Sequence, residues 1–116
     1  MALAAYAEEG QFSPRRIADA LLTTREEVAR STGLGRDAVA RKDRIGSVRT
    51  QTRLREMVEI LNRVSPRFGS DLIAFAWYRS EPLAGFGGQT AMALVRDGKA
   101  AAVMEYLDAV DDGVFA

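Results

Sequence analysis

With 116 residues, 47% of them hydrophobic and 28% charged, the chain can form one ordinary globular domain, or two small helical subdomains sharing a continuous core, and is too short for a large active-site cleft. It contains no cysteine and no histidine, which excludes disulfides, thiolate and imidazole metal sites and the commonest general base, so no catalytic residue, cofactor or metal is expected. The formal charge of zero hides a segregation: residues 14–67 carry thirteen basic against seven acidic side chains, a net of +6, and residues 68–116 three against seven, a net of −4. The basic part is suited to a polyanion.

The Ala-rich stretch from Met1 to Ala7 lacks a basic region and runs into Glu8 and Glu9, so it does not read as an export signal. No segment approaches the length of a membrane span, and a cytoplasmic location is expected. Ser13-Pro14 combines an N-cap with a proline in the first helical position, opening a helix that puts Ile17, Ala20 and Leu21 on one face and ends near Leu22. Thr24-Arg25-Glu26-Glu27 is a capping box, in which Thr24 takes the Glu27 amide and the Glu27 carboxylate reaches back. The second helix runs to about Thr32, where Gly33 stops it. A third begins near Arg36-Asp37 and continues through Ala38, Val39 and Arg41 toward Ile45.

That order of helix, glycine turn and helix is a helix-turn-helix pattern. Val28, Ala29, Gly33, Leu34 and Val39 supply its apolar contact, small crossing residue, turn glycine and core anchors. Lys42 departs from the pattern by standing where an apolar residue is usual, and Ile45 is available for the core role. An ordinary helical hairpin shares the geometry, but here the motif coincides with the basic excess. In the DNA-binding reading Arg36, Asp37, Arg41 and Lys42 are presented toward the major groove, while Arg44, Arg49 and Arg53 are placed for phosphates.

Gly46 to Thr52 reads as a polar, basic connection. After it Leu54, Met57, Val58, Leu61 and Val64 recur at helical spacing, a core stripe of which part could close a homodimer. Pro66 is expected to end that helix. Ser70-Asp71 opens the next, whose Leu72, Ile73, Phe75, Ala76 and Trp77 are apolar nearly all round, which predicts burial on more than one side with Trp77 central to the core. Ser80 to Gly88 is a loop. Its Gly85-Phe86-Gly87-Gly88 has neither a preceding strand nor a following Gly-Lys-Ser/Thr, and reads as a connector rather than a phosphate loop. Thr90 caps a short helix through Met92, Leu94 and Val95, ended by Asp97-Gly98, and a last helix carries Val103, Met104, Tyr106, Leu107 and Val110. The chain closes in Asp111-Asp112-Gly113-Val114-Phe115-Ala116. Apolar termini are usually docked, either on their own core or in a partner's cleft.

Trp77-Tyr78, Pro82-Leu83, Gly85, Leu94-Val95-Arg96-Asp97-Gly98, Val103, Leu107 and the closing Gly113-Val114-Phe115-Ala116 together resemble the toxin-binding domain of the Xre/MbcA/ParS antitoxin family. The resemblance covers residues 68–116 well and the preceding Xre-like helix-turn-helix more loosely. Ala91 stands where the family commonly has a proline at the start of the short helix. The resemblance implies an all-α fold in which an N-terminal helix-turn-helix bundle (residues 1–66, core 13–46) is continuous with a small toxin-binding domain (67–116). It also implies a partner, a RES-domain toxin that consumes NAD and is neutralised by covering its active-site cleft, and a second partner, the operator DNA of the chain's own operon. The toxin contacts it implies are Gly113, Val114, Phe115 and Ala116, with Arg96 and Asp97 nearby. Val114 and Phe115 offer compact apolar anchors, and Asp108, Asp111 and Asp112 could complement a basic nucleotide pocket. Two rival readings remain: a stand-alone dimeric helix-turn-helix regulator, and an enzyme using the i, i+3 carboxylate pairs Glu56/Glu59 or Glu105/Asp108, which are far more often solvated surface charges.

Overall fold

Capping chemistry places the helix starts. In the computed structural model, which describes residues 3–113, the Ser13 hydroxyl accepts the Arg16 N–H at 3.2 Å to open α1 (Pro14–Ala20), and Thr24 accepts the Glu27 N–H at 3.1 Å to open α2 (Arg25–Thr32). The Glu27 carboxylate does not turn back to Thr24. It meets Arg79 at 3.4 Å and Arg30 at 3.8 Å, where two cations hold it better than one amide. Gly33 ends α2 in the left-handed conformation with φ 73.

The third helix is not continuous. Its first part, α3 (Arg36–Ala40), stops at Arg41, whose backbone is extended (φ −87, ψ 124), and α4 (Lys42–Ile45) follows. The reason lies in the helical period: one turn beyond the buried Val39 stand Lys42 and Asp43, which cannot enter the core. The break at Arg41 re-phases the chain so that Ile45 becomes half-buried instead.

The stretch from Gly46 to Thr52 is not a connection either. Ser47 accepts the Thr50 N–H at 3.2 Å and starts α5 (Val48–Phe68), which passes through Pro66 before Gly69 caps it. A proline this close to the C-terminus forfeits a single i→i−4 hydrogen bond, so the helix survives it. Leu54, Met57, Val58, Ile60, Leu61 and Val64 are all fully buried, making α5 the pillar of the fold. Against it pack α6 (Asp71–Ser80), α7 (Ala91–Arg96) and α8 (Ala100–Asp111). One core runs without a gap from Ile17, Val28 and Val39 through α5 to Leu94, Val103 and Leu107.

On α6 the buried side chains are Ala74, Phe75 and Tyr78, one stripe of the helix, whereas Leu72 and Ile73 remain 42% and 53% exposed. Trp77 is only half-buried, at the edge of that stripe, and packs on Phe68 with ring centroids 6.3 Å apart. Tyr78 holds the central place because its hydroxyl finds a partner inside: it donates to the Ser31 carbonyl of α2 at 2.7 Å. Burial, chiefly, holds that phenol protonated far above its ordinary pKa.

Residues 3–12 carry structure that composition did not announce. A 3₁₀ turn (Leu3–Tyr6) leads into a hairpin of β1 (Ala7–Glu8) and β2 (Gln11–Phe12), turned at Glu9 and Gly10 with φ 52 and 80. Tyr6 is fully buried and donates to the Asp71 carboxylate at 2.8 Å, tying the N-terminus to the start of α6. Gln51 of α5 grips the hairpin by accepting the Phe12 N–H and donating to the Phe12 carbonyl, at 2.8 and 2.9 Å, as a neighbouring strand would. Apart from this hairpin and one isolated bridge between Pro82 and Thr90, the described residues are helical or in turns and loops.

Candidate functional site

Several basic residues of the first half line two hollows, and one, Arg53, is half-buried away from both. Arg36 and Asp37 at the start of α3, Arg44 of α4 and Arg49 of α5 line a hollow of about 390 Å³ floored by Ser47 and Thr50. Arg36, Arg44 and Arg49 are exposed, and none of the three is in an ion pair among the described residues. Arg49 makes one long contact, 3.4 Å to the Gly33 carbonyl. Arg41 is not part of this group, since it lies in the break with its guanidinium 3.3 Å from Asp43. Lys42 lines a separate hollow of about 300 Å³ beside the hairpin, with Glu8, Glu9, Arg15 and Arg25.

Arg53 is not placed for phosphates. One nitrogen of its guanidinium donates to the Thr32 and Val95 carbonyls, both at 2.9 Å, and to that of Arg96 at 3.3 Å. These carbonyls belong to the ends of α2 and α7, where no intrahelical donor remains and a positive charge suits both helix dipoles. Nothing in the local sequence distinguishes this arginine from Arg49 or Arg55; only the meeting of two helix ends beside it does. Gly33 sits in the same joint: a Cβ there would lie 3.0 Å from the Arg53 guanidinium and 3.0 Å from the Arg96 Cα, so α2 and α7 approach this closely because the residue is glycine.

Arg96 and Asp97 are therefore beside the glycine turn, at the end of α7. Both are exposed, and Asp97 accepts a 3.4 Å hydrogen bond from Gln89. The end of α8 is elsewhere. Asp111 accepts from Arg63 at 2.6 Å and is bound by Arg67 as well, while Asp108 accepts from Arg63 at 2.8 Å. Arg53 and Arg63 are ten residues apart on α5, about 15 Å of helix rise, so Arg96 and Asp97 are not brought together with Gly113. Val114, Phe115 and Ala116 lie outside the described residues.

Asp108 and Asp111 thus serve α5 as a latch, and of the three closing acids only Asp112 is without an intramolecular cation among the described residues. The hydrogen bond from Arg63 first, then the charge of Arg67, holds the Asp111 carboxyl below the usual carboxylate range. A carboxyl with a depressed folded-state pKa contributes stability that is present above its unfolded pKa and lost as pH falls through the folded value. The expected result is that unfolding midpoints in urea fall below about pH 4 for the intact chain, and that Asp111→Asn is less stable at neutral pH and shows a flatter decline in acid. Equal slopes for the two proteins would remove Asp111 as a source of the acid sensitivity.

Glu56 is half-buried with Arg53 at 3.8 Å, and Asp108 is held by Arg63. The loop between α6 and α7 is closed by the Leu83 N–H donating to the Gln89 carbonyl at 2.9 Å and by Phe86 packing edge-on to Tyr106 at 6.0 Å, so its glycines serve turns.

Residues 66–113, from the last turn of α5 through α8, match the model of the antitoxin Xre/MbcA/ParS C-terminal toxin-binding domain. The match spans 48 of the 116 residues. The matched residues comprise the last turn of α5 with α6, α7 and α8, and the match supports an antitoxin role and a toxin as partner. No curated protein and no solved structure matches the chain significantly. Among the described residues no helix is long and apolar enough to cross a membrane.

Proposed function

We propose that this chain is the antitoxin of a type II toxin–antitoxin pair, that its partner is a RES-type, NAD-consuming toxin, and that it acts without catalysing a reaction, in the cytoplasm. The observation that carries the reading is the match of residues 66–113 to a toxin-binding domain. In this proposal residues 67–116 cover the toxin's active-site cleft through Gly113, Val114, Phe115 and Ala116. The apolar pair Val114 and Phe115 supplies the anchors, and Asp112 supplies a charge that no cation among the described residues occupies. Arg96 and Asp97, distant from Gly113, form a second contact. The first 66 residues bind the operator of the chain's own operon as a homodimer; of the residues that the sequence presents to DNA, Arg36, Asp37, Arg44 and Arg49 line one hollow, and Arg41 and Lys42 lie outside it.

The test is co-expression with the RES protein encoded beside the gene, reading growth and cellular NAD. The intact chain is expected to restore both, and deletion of Gly113 to Ala116 to abolish most of the rescue while the truncated protein still folds. Full rescue by the truncated chain would remove the tail as the plug. Failure of the intact chain to form a complex with the toxin would remove the RES assignment.

A further inference from the structure

We propose that Arg36, Arg44 and Arg49 form a phosphate clamp by which the chain holds the backbone of duplex DNA, and that Arg41 and Lys42 take no part in it. The inference rests on the DNA-binding reading above and assigns its chemistry. Three observations lead to it. The three guanidinium groups come from α3, α4 and α5 and converge on one hollow of about 390 Å³ in which Asp37 is the sole acid. Of the other arginines, Arg15 and Arg16 face Glu8, Arg30 and Arg79 face Glu27, Arg41 faces Asp43, and Arg63 and Arg67 face Asp111, while Arg25, Arg55 and Arg96, also without a carboxylate among the described residues, do not line this hollow. Arg36, Arg44 and Arg49 have no such carboxylate among the described residues, which leaves three charged forks open to an external anion. A guanidinium matches the paired oxygens of a phosphodiester in plane and spacing, and three of them follow a strand of phosphates better than they fit a single neutral ligand.

The third observation is what the break does. A helix-turn-helix reads base edges with side chains of one recognition helix lying in the major groove. Here α3 ends after five residues, Arg41 is turned onto Asp43, and Lys42 stands beside Glu8 and Glu9 around a different hollow. Contacts to the sugar–phosphate backbone make no demand for such a helix. The binding that results tolerates sequence and depends steeply on salt.

The experiment compares three proteins: the intact chain, Arg36→Ala/Arg44→Ala/Arg49→Ala, and Arg41→Ala/Lys42→Ala. Each is titrated by fluorescence anisotropy against a mixed-sequence duplex and against the duplex upstream of its own gene, over a salt series. The triple variant is expected to lose about 100-fold or more in affinity for both duplexes alike, with the slope of log affinity against log salt reduced by about three. The Arg41/Lys42 variant is expected to stay within about twofold of the intact chain on both. All five side chains are on the surface, and thermal midpoints check that each protein folds; should the triple variant unfold, Arg36→Ala and Arg44→Ala singly carry the comparison. A larger loss for the Arg41/Lys42 variant, or one confined to the upstream duplex, overturns the clamp while leaving DNA binding intact. Absence of binding by the intact chain to either duplex at low salt overturns both.

Discussion

Replacing Arg53 with methionine is expected to lower the free energy of unfolding by about 3 kcal/mol and the thermal midpoint by about 10 °C. Methionine keeps an aliphatic stem against α5's neighbours but supplies no donor. The Thr32 and Val95 carbonyls, each now 2.9 Å from the guanidinium, would lose it at the point where α2 and α7 end and have no intrahelical donor to offer. The half-buried Glu56 would lose its cation at the same time. A charged donor shared by two helix ends is worth more than a typical surface pair, because removing it leaves the Thr32 carbonyl without a donor and the Val95 carbonyl with the Gly98 N–H alone. The control is Arg49→Ala, whose single 3.4 Å contact is exposed and should change stability by less than about 0.5 kcal/mol. Urea unfolding of the three proteins at one pH measures this. A cost for Arg53→Met below about 1 kcal/mol would mean that solvent satisfies those carbonyls and that the joint is held by apolar packing alone.

Truncating Leu61 to alanine is expected to cost about 3–4 kcal/mol. Leu61 is fully buried on the stripe of α5 that includes Met57, Val58 and Val64, and helices pack around that pillar from several sides. The walls of the resulting cavity are held from outside by Gln51 on the hairpin, Arg53 on α2 and α7, and Arg63 with Arg67 on α8. With its neighbours anchored, the site collapses little, and the penalty comprises the lost transfer energy plus the void. Leu72→Ala, at an exposed position of α6, is expected to stay within about 0.5 kcal/mol. Comparable losses at the two positions would mean that α6 is covered in solution by another polypeptide, since Leu72 is 42% exposed in the isolated chain.

The candidate site is only partly legible in the order of the residues. Charge and nearness to the glycine turn single out Arg36, Asp37, Arg44 and Arg49, and these four do line one hollow. The same charge singles out Arg53, which instead goes to the interior, because the ends of α2 and α7 converge on it from 21 and 42 residues away. Asp108 and Asp111 read as acids free for a partner, yet Arg63 and Arg67 face them across the α5–α8 contact. Size favours Trp77 for the centre of the core, while Tyr78 takes the place through a carbonyl 47 residues distant in the chain.

What the amino-acid sequence determined alone is the set of helix starts at Ser13, Thr24, Ser70 and Thr90, the stop at Gly33, and the buried stripe of α5. Capping bonds reach three residues and the helical period repeats every turn, so these features are decided within a few residues of themselves. The tertiary structure decided the break at Arg41, the fate of each arginine and the pairing of each acid. Those depend on which surface lies opposite, and a carbonyl, a carboxylate or open solvent beside the same guanidinium leads to a brace, a latch or a free cation.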